Sequence, residues 1–346
     1  MTKNLRLPGM GILRLHQPAF RQIRRLSIIF SILALSSHAA DNGLSIANPR
    51  LGGVFDEQSK QLRLVEGIPG SATLGGAIDA GNPIEQAWIV PQAKRALVRF
   101  TGKTGLALVD WNGSVQTLMA DDIKSDAVTL AAISPSGKAF AVLIDGAVEA
   151  WRIAPTGLNR LWRTDLNADQ TSPTSLAISD DGELVAAALP GRLAVISQSG
   201  NANTLSEMDF LGAMSFAHNS HAFALAREDS NSAFLFDAPP SQSNVEIKWE
   251  SNLPEKISGL GFSGDNTSIA IASATDTGGQ VRLFTVSDGQ MKAALETRTT
   301  PNGIFRANGN AVFQLTTSAK AANTLLDGDA AEPRLVTVAG QEISND

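Results

Sequence analysis

The chain has 346 residues, with 28 Lys and Arg against 34 Asp and Glu, and it contains neither Cys nor Tyr. Without cysteine there is no disulfide, no thiol nucleophile, no thiolate metal site and no cysteine to carry a lipid. The excess of acid argues against nucleic acid and anionic lipid as partners, because phosphate is held mainly by Lys and Arg.

The N-terminal stretch is set apart by its charge. Residues 1–40 hold six basic residues, Lys3, Arg6, Arg14, Arg21, Arg24 and Arg25, and no acidic one. Arg21, Arg24 and Arg25 precede the apolar run Leu26–Leu35, and Ser37-His38-Ala39-Ala40 follows with small residues. That order predicts a secretory signal peptide over 1–40; the run is about half of what a membrane span needs. Met10 is an alternative start. Arg24-Arg25 fits a twin-arginine signal poorly, so the general secretory route is expected. Removal of 1–40 leaves 22 basic against 34 acidic residues, a net charge of −12. An exported chain without disulfides suits a bacterial envelope, periplasmic or extracellular.

From residue 51 onward one phrase returns. Ile89–Val98, Ile133–Val142, Ile178–Ala187, Phe216–Leu225, Phe262–Ile271 and Phe305–Gln314 each read as strand, polar turn, strand. Their first residues lie 44, 45, 38, 46 and 43 positions apart. Seven further hairpins alternate with these phrases, beginning with Leu51–Glu66 and ending with Asn323–Val338. The first of them reads as the third and fourth strands of a repeat, and a short strand is expected at Ala72–Ile78. The repeated strands are apolar on both faces, as in Ala139–Ile144, so both faces are buried. Such a period in an all-β pattern predicts a β-propeller over 41–346, a ring of four-stranded antiparallel blades that cover each other's faces. The length favours seven blades, with six as the alternative. The first hairpin should lie near Arg334–Val338 to close the ring. Asp56, Asp110, Asp237 and Asp327 end third strands and are expected to start turns by bonding backbone N–H groups two residues on.

On these turn phrases (Ser134-Pro135-Ser136-Gly137, Ser179-Asp180-Asp181-Gly182) and strand-terminal aspartates, the chain resembles the broad WD40-like and YVTN-type propeller superfamily. The resemblance covers most of 51–338. No Gly-His pair occurs and Asp110-Trp111 reverses the usual Trp-Asp order, so the superfamily's His–Asp network is not carried over. The opening residues from Leu51 also resemble uncharacterised bacterial exported propellers, which imply no activity.

Few residues offer chemistry. The mature chain keeps two histidines, His218 and His221, in one turn phrase. A zinc site needs three or four ligands and no third is spaced nearby, so both read as turn residues. Asp121-Asp122, Asp180-Asp181 and Asp327/Asp329 are too few for a calcium site and read as solvated turns. Gly102-Lys103-Thr104 lacks the preceding glycine and following helix of a phosphate loop, and no Gly-x-Ser-x-Gly elbow occurs. The five tryptophans, Trp88, Trp111, Trp151, Trp162 and Trp249, read as blade packing. No cofactor or metal is expected.

The expected function is a monomeric, non-catalytic binding or scaffold module with another protein as partner. The rival is a propeller enzyme, lactonase- or quinoprotein-like, with ligands converging at the channel mouth. Loops on a rigid scaffold carry function, and the loops from second to third strand share a face with the connections between blades. They place Arg99, Lys103, Asp145, Arg227, Glu228, Asp229, Asp276 and Lys320 around one rim of the ring, and that rim is the candidate binding site.

Overall fold

The computed structural model describes residues 49–338, except 57–58, 91–93, 104, 113–114, 118–127, 155–156, 167–171, 200–201, 207–210, 228–230, 238–246 and 318–322. The signal segment 1–40 and Asp121-Asp122 therefore lie outside the described residues.

The described strands form seven antiparallel sheets in chain order. Blade I has three strands, β1 (Arg50–Asp56), β2 (Gln61–Glu66) and β3 (Thr73–Ile78). Blade II runs β4 (Ile84–Val90), β5 (Arg95–Phe100), β6 (Leu106–Asp110), β7 (Val115–Thr117). Blade III is β8 (Val128–Ile133), β9 (Ala139–Ile144), β10 (Ala147–Ala154), β11 (Gly157–Asp165), and blade IV is β12 (Ser175–Ile178), β13 (Leu184–Leu189), β14 (Arg192–Ser197), β15 (Ala202–Ser206). Blade V comprises β16 (Leu211–Phe216), β17 (Phe223–Arg227), β18 (Ser232–Phe236) and β19 (Trp249–Asn252). Blade VI holds β20 (Lys256–Phe262), β21 (Ser268–Thr275), β22 (Gly278–Thr285) and β23 (Met291–Thr297). Blade VII closes the series with β24 (Pro301–Arg306), β25 (Val312–Thr317), β26 (Thr324–Asp327) and β27 (Arg334–Thr337). Seven blades stand, not six.

Each joint between blades is an apolar cluster. Leu97, Leu106 and Leu108 of blade II pack on Phe140, Val142 and Trp151 of blade III. Equivalent clusters join III to IV, IV to V, V to VI and VI to VII. Leu62 and Leu64 meet Ile84 and Val98 at the joint of I and II. The ring closes where Leu51, Val54 and Val65 meet Leu325 and Val338, as the expected proximity of the first hairpin to 334–338 requires. Every residue of β9 is buried, so its two apolar faces are explained by a neighbour on either side.

The inner strands of successive blades lie side by side, β16 by β20 and β20 by β24. Small residues permit this approach. A Cβ added at Gly259 of β20 would stand 2.7 Å from the backbone nitrogen of Ile304 in β24.

Strand direction assigns two faces to the ring. The turn face carries the links from first to second and from third to fourth strand. The loop face carries the links from second to third strand and from blade to blade. Blade I breaks the pattern. Its β1 begins on the turn face, where Asn308 N donates to Leu51 O at 2.6 Å. The β1–β2 turn lies on the loop face, where Ile84 N, at the start of β4, donates to Lys60 O at 2.9 Å. So β1, β2 and β3 run as the second, third and fourth strands of the other blades, and no described strand takes the first place. Leu51–Glu66 is thus not a third-and-fourth pair. The short strand expected near Ala72–Ile78 is β3. Without a first strand blade I has no first-to-second turn, which is why seven blades come with six turn phrases.

Candidate binding surfaces

On the turn face, five turns share one local build. The first residue's N–H donates to a carbonyl five residues on, as Ser134 to Ala139 at 2.9 Å and Ser179 to Leu184 at 3.0 Å. The chain reverses through a left-handed residue, Gly137, Gly182, Asn219, Asn266 or Gly309. Glycine and asparagine tolerate that conformation.

The polar residues of these turns bond to the next blade. Asp180 Oδ1 accepts from Ser136 N at 2.6 Å and Ser136 Oγ at 2.7 Å, and its Oδ2 accepts from Asn219 N at 2.6 Å. Blade IV is thereby tied to both neighbours. His218 N donates to Asn266 Oδ1, and Asn266 Nδ2 donates back to His218 O, both at 2.8 Å. Asp265 and Asn310 repeat this exchange between blades VI and VII, at 2.8 and 2.9 Å. Asn308 completes the chain of latches, its Nδ2 donating to Arg50 O at 2.7 Å. Asp180 and Asp327 are buried at 7% and 6% exposure, so these two are not solvated turn residues. Their carboxylates stay buried because each has several donors.

Titration follows the same geometry. Burial opposes ionisation of Asp265, but bonds from Thr267 N, Ser263 Oγ, Thr267 Oγ1 and Asn310 bring its pKa down to about 2. For His218, burial lowers the imidazole pKa. Asp180 opposes that, and Arg306 and Lys138 add to it.

One group on this face stands outside the latches. Asp181 and Glu183, in the turn of blade IV, meet His221 of blade V, with the three ligand atoms within 4.8 Å of one another. His221 Nε2 lies 2.8 Å from Asp181 Oδ2. The sequence reading paired His221 with His218, whereas in the fold its neighbours are two carboxylates of the adjoining blade. Beside the group opens a cavity of about 670 Å³ lined by Lys138, Arg152, Asp180, Asp181, Asn219 and His221 among others.

The rim on the loop face is more open. Arg99 is half-buried: its Nε lies 3.3 Å from Glu85 Oε2 and its Nη1 donates to Val128 O at 3.4 Å, joining blades II and III. Arg227 ends β17, half-buried. Lys103, Asp145 and Asp276 are exposed. Asp145 sits in a two-residue turn with φ 49°. Glu228, Asp229 and Lys320 lie outside the described residues. Gly102-Lys103 falls in the loop between β5 and β6, as expected.

Other expectations meet mixed outcomes. Trp111, Trp151 and Trp162 are buried, and Trp162 Nε1 donates to Gly182 O of the next blade at 2.8 Å. Blade packing accounts for all three. The strand-ending aspartates also pair across their own hairpins. Asp110 meets Arg95 at 3.1 Å, Asp237 meets Lys248 at 2.8 Å and Asp327 meets Arg334 at 3.0 Å. Asp56 accepts from Ser59 N and Oγ, three residues on.

Fold and faces together define a seven-bladed β-propeller. Residues 164–301 match the family described as the lipoprotein LpqB beta-propeller domain, Gmad1. Among solved structures the chain is similar to the β-propeller domain of Cps50 (Swd1) from Myceliophteria thermophila, with a TM-score of 0.51 and 12% identity over 79% of this chain and 94% of that one. At that identity the likeness concerns the fold alone. No curated protein matches the sequence. Among the described residues no helix is long and apolar enough to cross a membrane.

Proposed function

We propose that this chain is an exported, non-catalytic binding module of a bacterial envelope that engages another protein through the loop face of its ring. The observation that carries the reading is the contrast between the two faces. Most polar turn residues of the turn face are used in blade-to-blade latches. On the loop face Lys103, Asp145 and Asp276 are exposed and make no side-chain bond among the described residues. Exposed charges of mixed sign on a rigid rim suit recognition of a complementary protein surface. The match of residues 164–301 to a lipoprotein propeller domain supports the envelope setting.

Two measurements test it. The exported protein should begin at Ala40 or Asp41 by mass spectrometry, after cleavage behind Ala39 or Ala40; an intact N-terminus would remove the export reading. Charge reversal at Lys103 and Asp276 together should weaken capture of the envelope partner in a pull-down at unchanged melting temperature. Adding Arg99 and Arg227 to the set should weaken it further, at some cost in stability because Arg99 also joins two blades. Full capture by the double variant, with loss on altering the turns 134–137 or 179–182, would move the site to the opposite face.

A further inference from the structure

We propose that Asp181, Glu183 and His221 form a site for one divalent transition-metal ion, bridging blades IV and V on the turn face. The inference is independent of the loop-face reading.

Three observations carry it. The donor set is one imidazole nitrogen and two carboxylates, a combination that suits zinc and its neighbours rather than magnesium or calcium, which take oxygen ligands. The three ligand atoms lie within 4.8 Å of one another. An ion makes bonds of about 2.0–2.2 Å to such ligands, so binding would draw in the exposed Glu183 side chain and replace the 2.8 Å contact between His221 and Asp181. One of the donors, Glu183, is also left over by the latch. The turn residues in the next position of blades V and VI, Asn219 and Asp265, bond to neighbouring turns through their side chains or backbone. Asp181 instead directs Oδ2 at His221, and the carboxylate of Glu183 has no partner among the described residues.

The second carboxylate oxygen of Asp181 is already fixed. Its Oδ1 accepts from Ser179 Oγ at 2.6 Å and Glu183 N at 3.0 Å. These bonds orient Oδ2 as the partners of a metal ligand do. With three protein ligands an ion keeps at least one position for another donor. Lys138 and Arg152 line the same cavity, so the remaining donor should be an anionic oxygen, a carboxylate or a phosphate.

The test uses the purified chain without a histidine tag. Isothermal titration with zinc chloride should show one ion per chain, and cobalt(II) should give the visible absorption of a nitrogen- and oxygen-ligated site. His221→Ala and Asp181→Asn should each weaken zinc binding by at least about tenfold. Glu183→Gln, a change at an exposed side chain, should weaken it less and leave the metal-free melting temperature unchanged. His218→Ala should keep the ion, because His218 faces Asp180. If His221→Ala proves unfolded, the Glu183→Gln titration decides. No uptake by the folded wild-type chain, or full affinity in the Asp181→Asn and Glu183→Gln variants, overturns the site; so does loss with His218→Ala alone.

Discussion

Phe140→Ala should lower the melting temperature by about 10 °C. Phe140 has no exposed surface. It stacks on Trp151 with ring centroids 6.1 Å apart and planes 12° from parallel. Its cluster joins blade II to blade III. Truncating a buried phenylalanine costs about 3–5 kcal/mol, through lost transfer energy and the cavity left behind. For a chain of this size, 1 kcal/mol moves the midpoint by roughly 2–4 °C. Thermal unfolding followed by circular dichroism reads the shift. Phe305→Ala is the control: Phe305 is 52% exposed, and its loss should move the midpoint by no more than about 2 °C. Equal shifts for the two would refute the idea that the II–III joint is a tight apolar seam.

Asp180→Ala should cost about 3 kcal/mol, from donors stranded rather than from volume. The buried carboxylate of Asp180 takes two bonds from Ser136 and one from Asn219. Alanine leaves the N–H groups of Ser136 and Asn219 without their acceptor, at about 1–3 kcal/mol each where water cannot reach. Asp180→Asn should fall between: its amide oxygen can still serve Ser136, but its NH₂ faces another N–H at Asn219. Urea denaturation measures both variants. A loss below about 1 kcal/mol for Asp180→Ala would mean that water satisfies these groups, and the latch would then hold little.

Much of this architecture was legible in the chain because propeller strands are written in period two. Strands such as Ala139–Ile144 show apolar residues on both faces, and that pattern depends only on local spacing. The blade count followed from the period of the turn phrases. Direction was not legible for the first hairpin. A hairpin alternates in the same way whether it is the second and third or the third and fourth strand of a blade. Only contacts with Asn308 and Ile84 decide between them. The latches were missed for a different reason. Turns are polar for local causes, so Asp180 read as solvated and Asn310 drew no reading. Their partners lie 44 and 45 residues away, about one repeat. Superposing the turn phrases on one another would have shown donors and acceptors at matching positions. The basic partners of Asp110, Asp237 and Asp327 were not foreseen, because they stand on the opposite strand of each hairpin.

The missing first strand of blade I gives the ring a seam. From blade II round to blade VII, the first strands of neighbouring blades lie side by side. Between VII and I the described contacts are instead the cluster around Leu51 and Leu325, the two bonds from Asn308 and the approach of β26 and β27 to Pro69–Ser71. Where unfolding starts at one joint, the rate of that first parting governs how long the whole survives heat or protease. Reinforcing the joint of VII and I should therefore slow thermal unfolding more than reinforcing the II–III joint, whose cluster already holds Phe140 and Trp151.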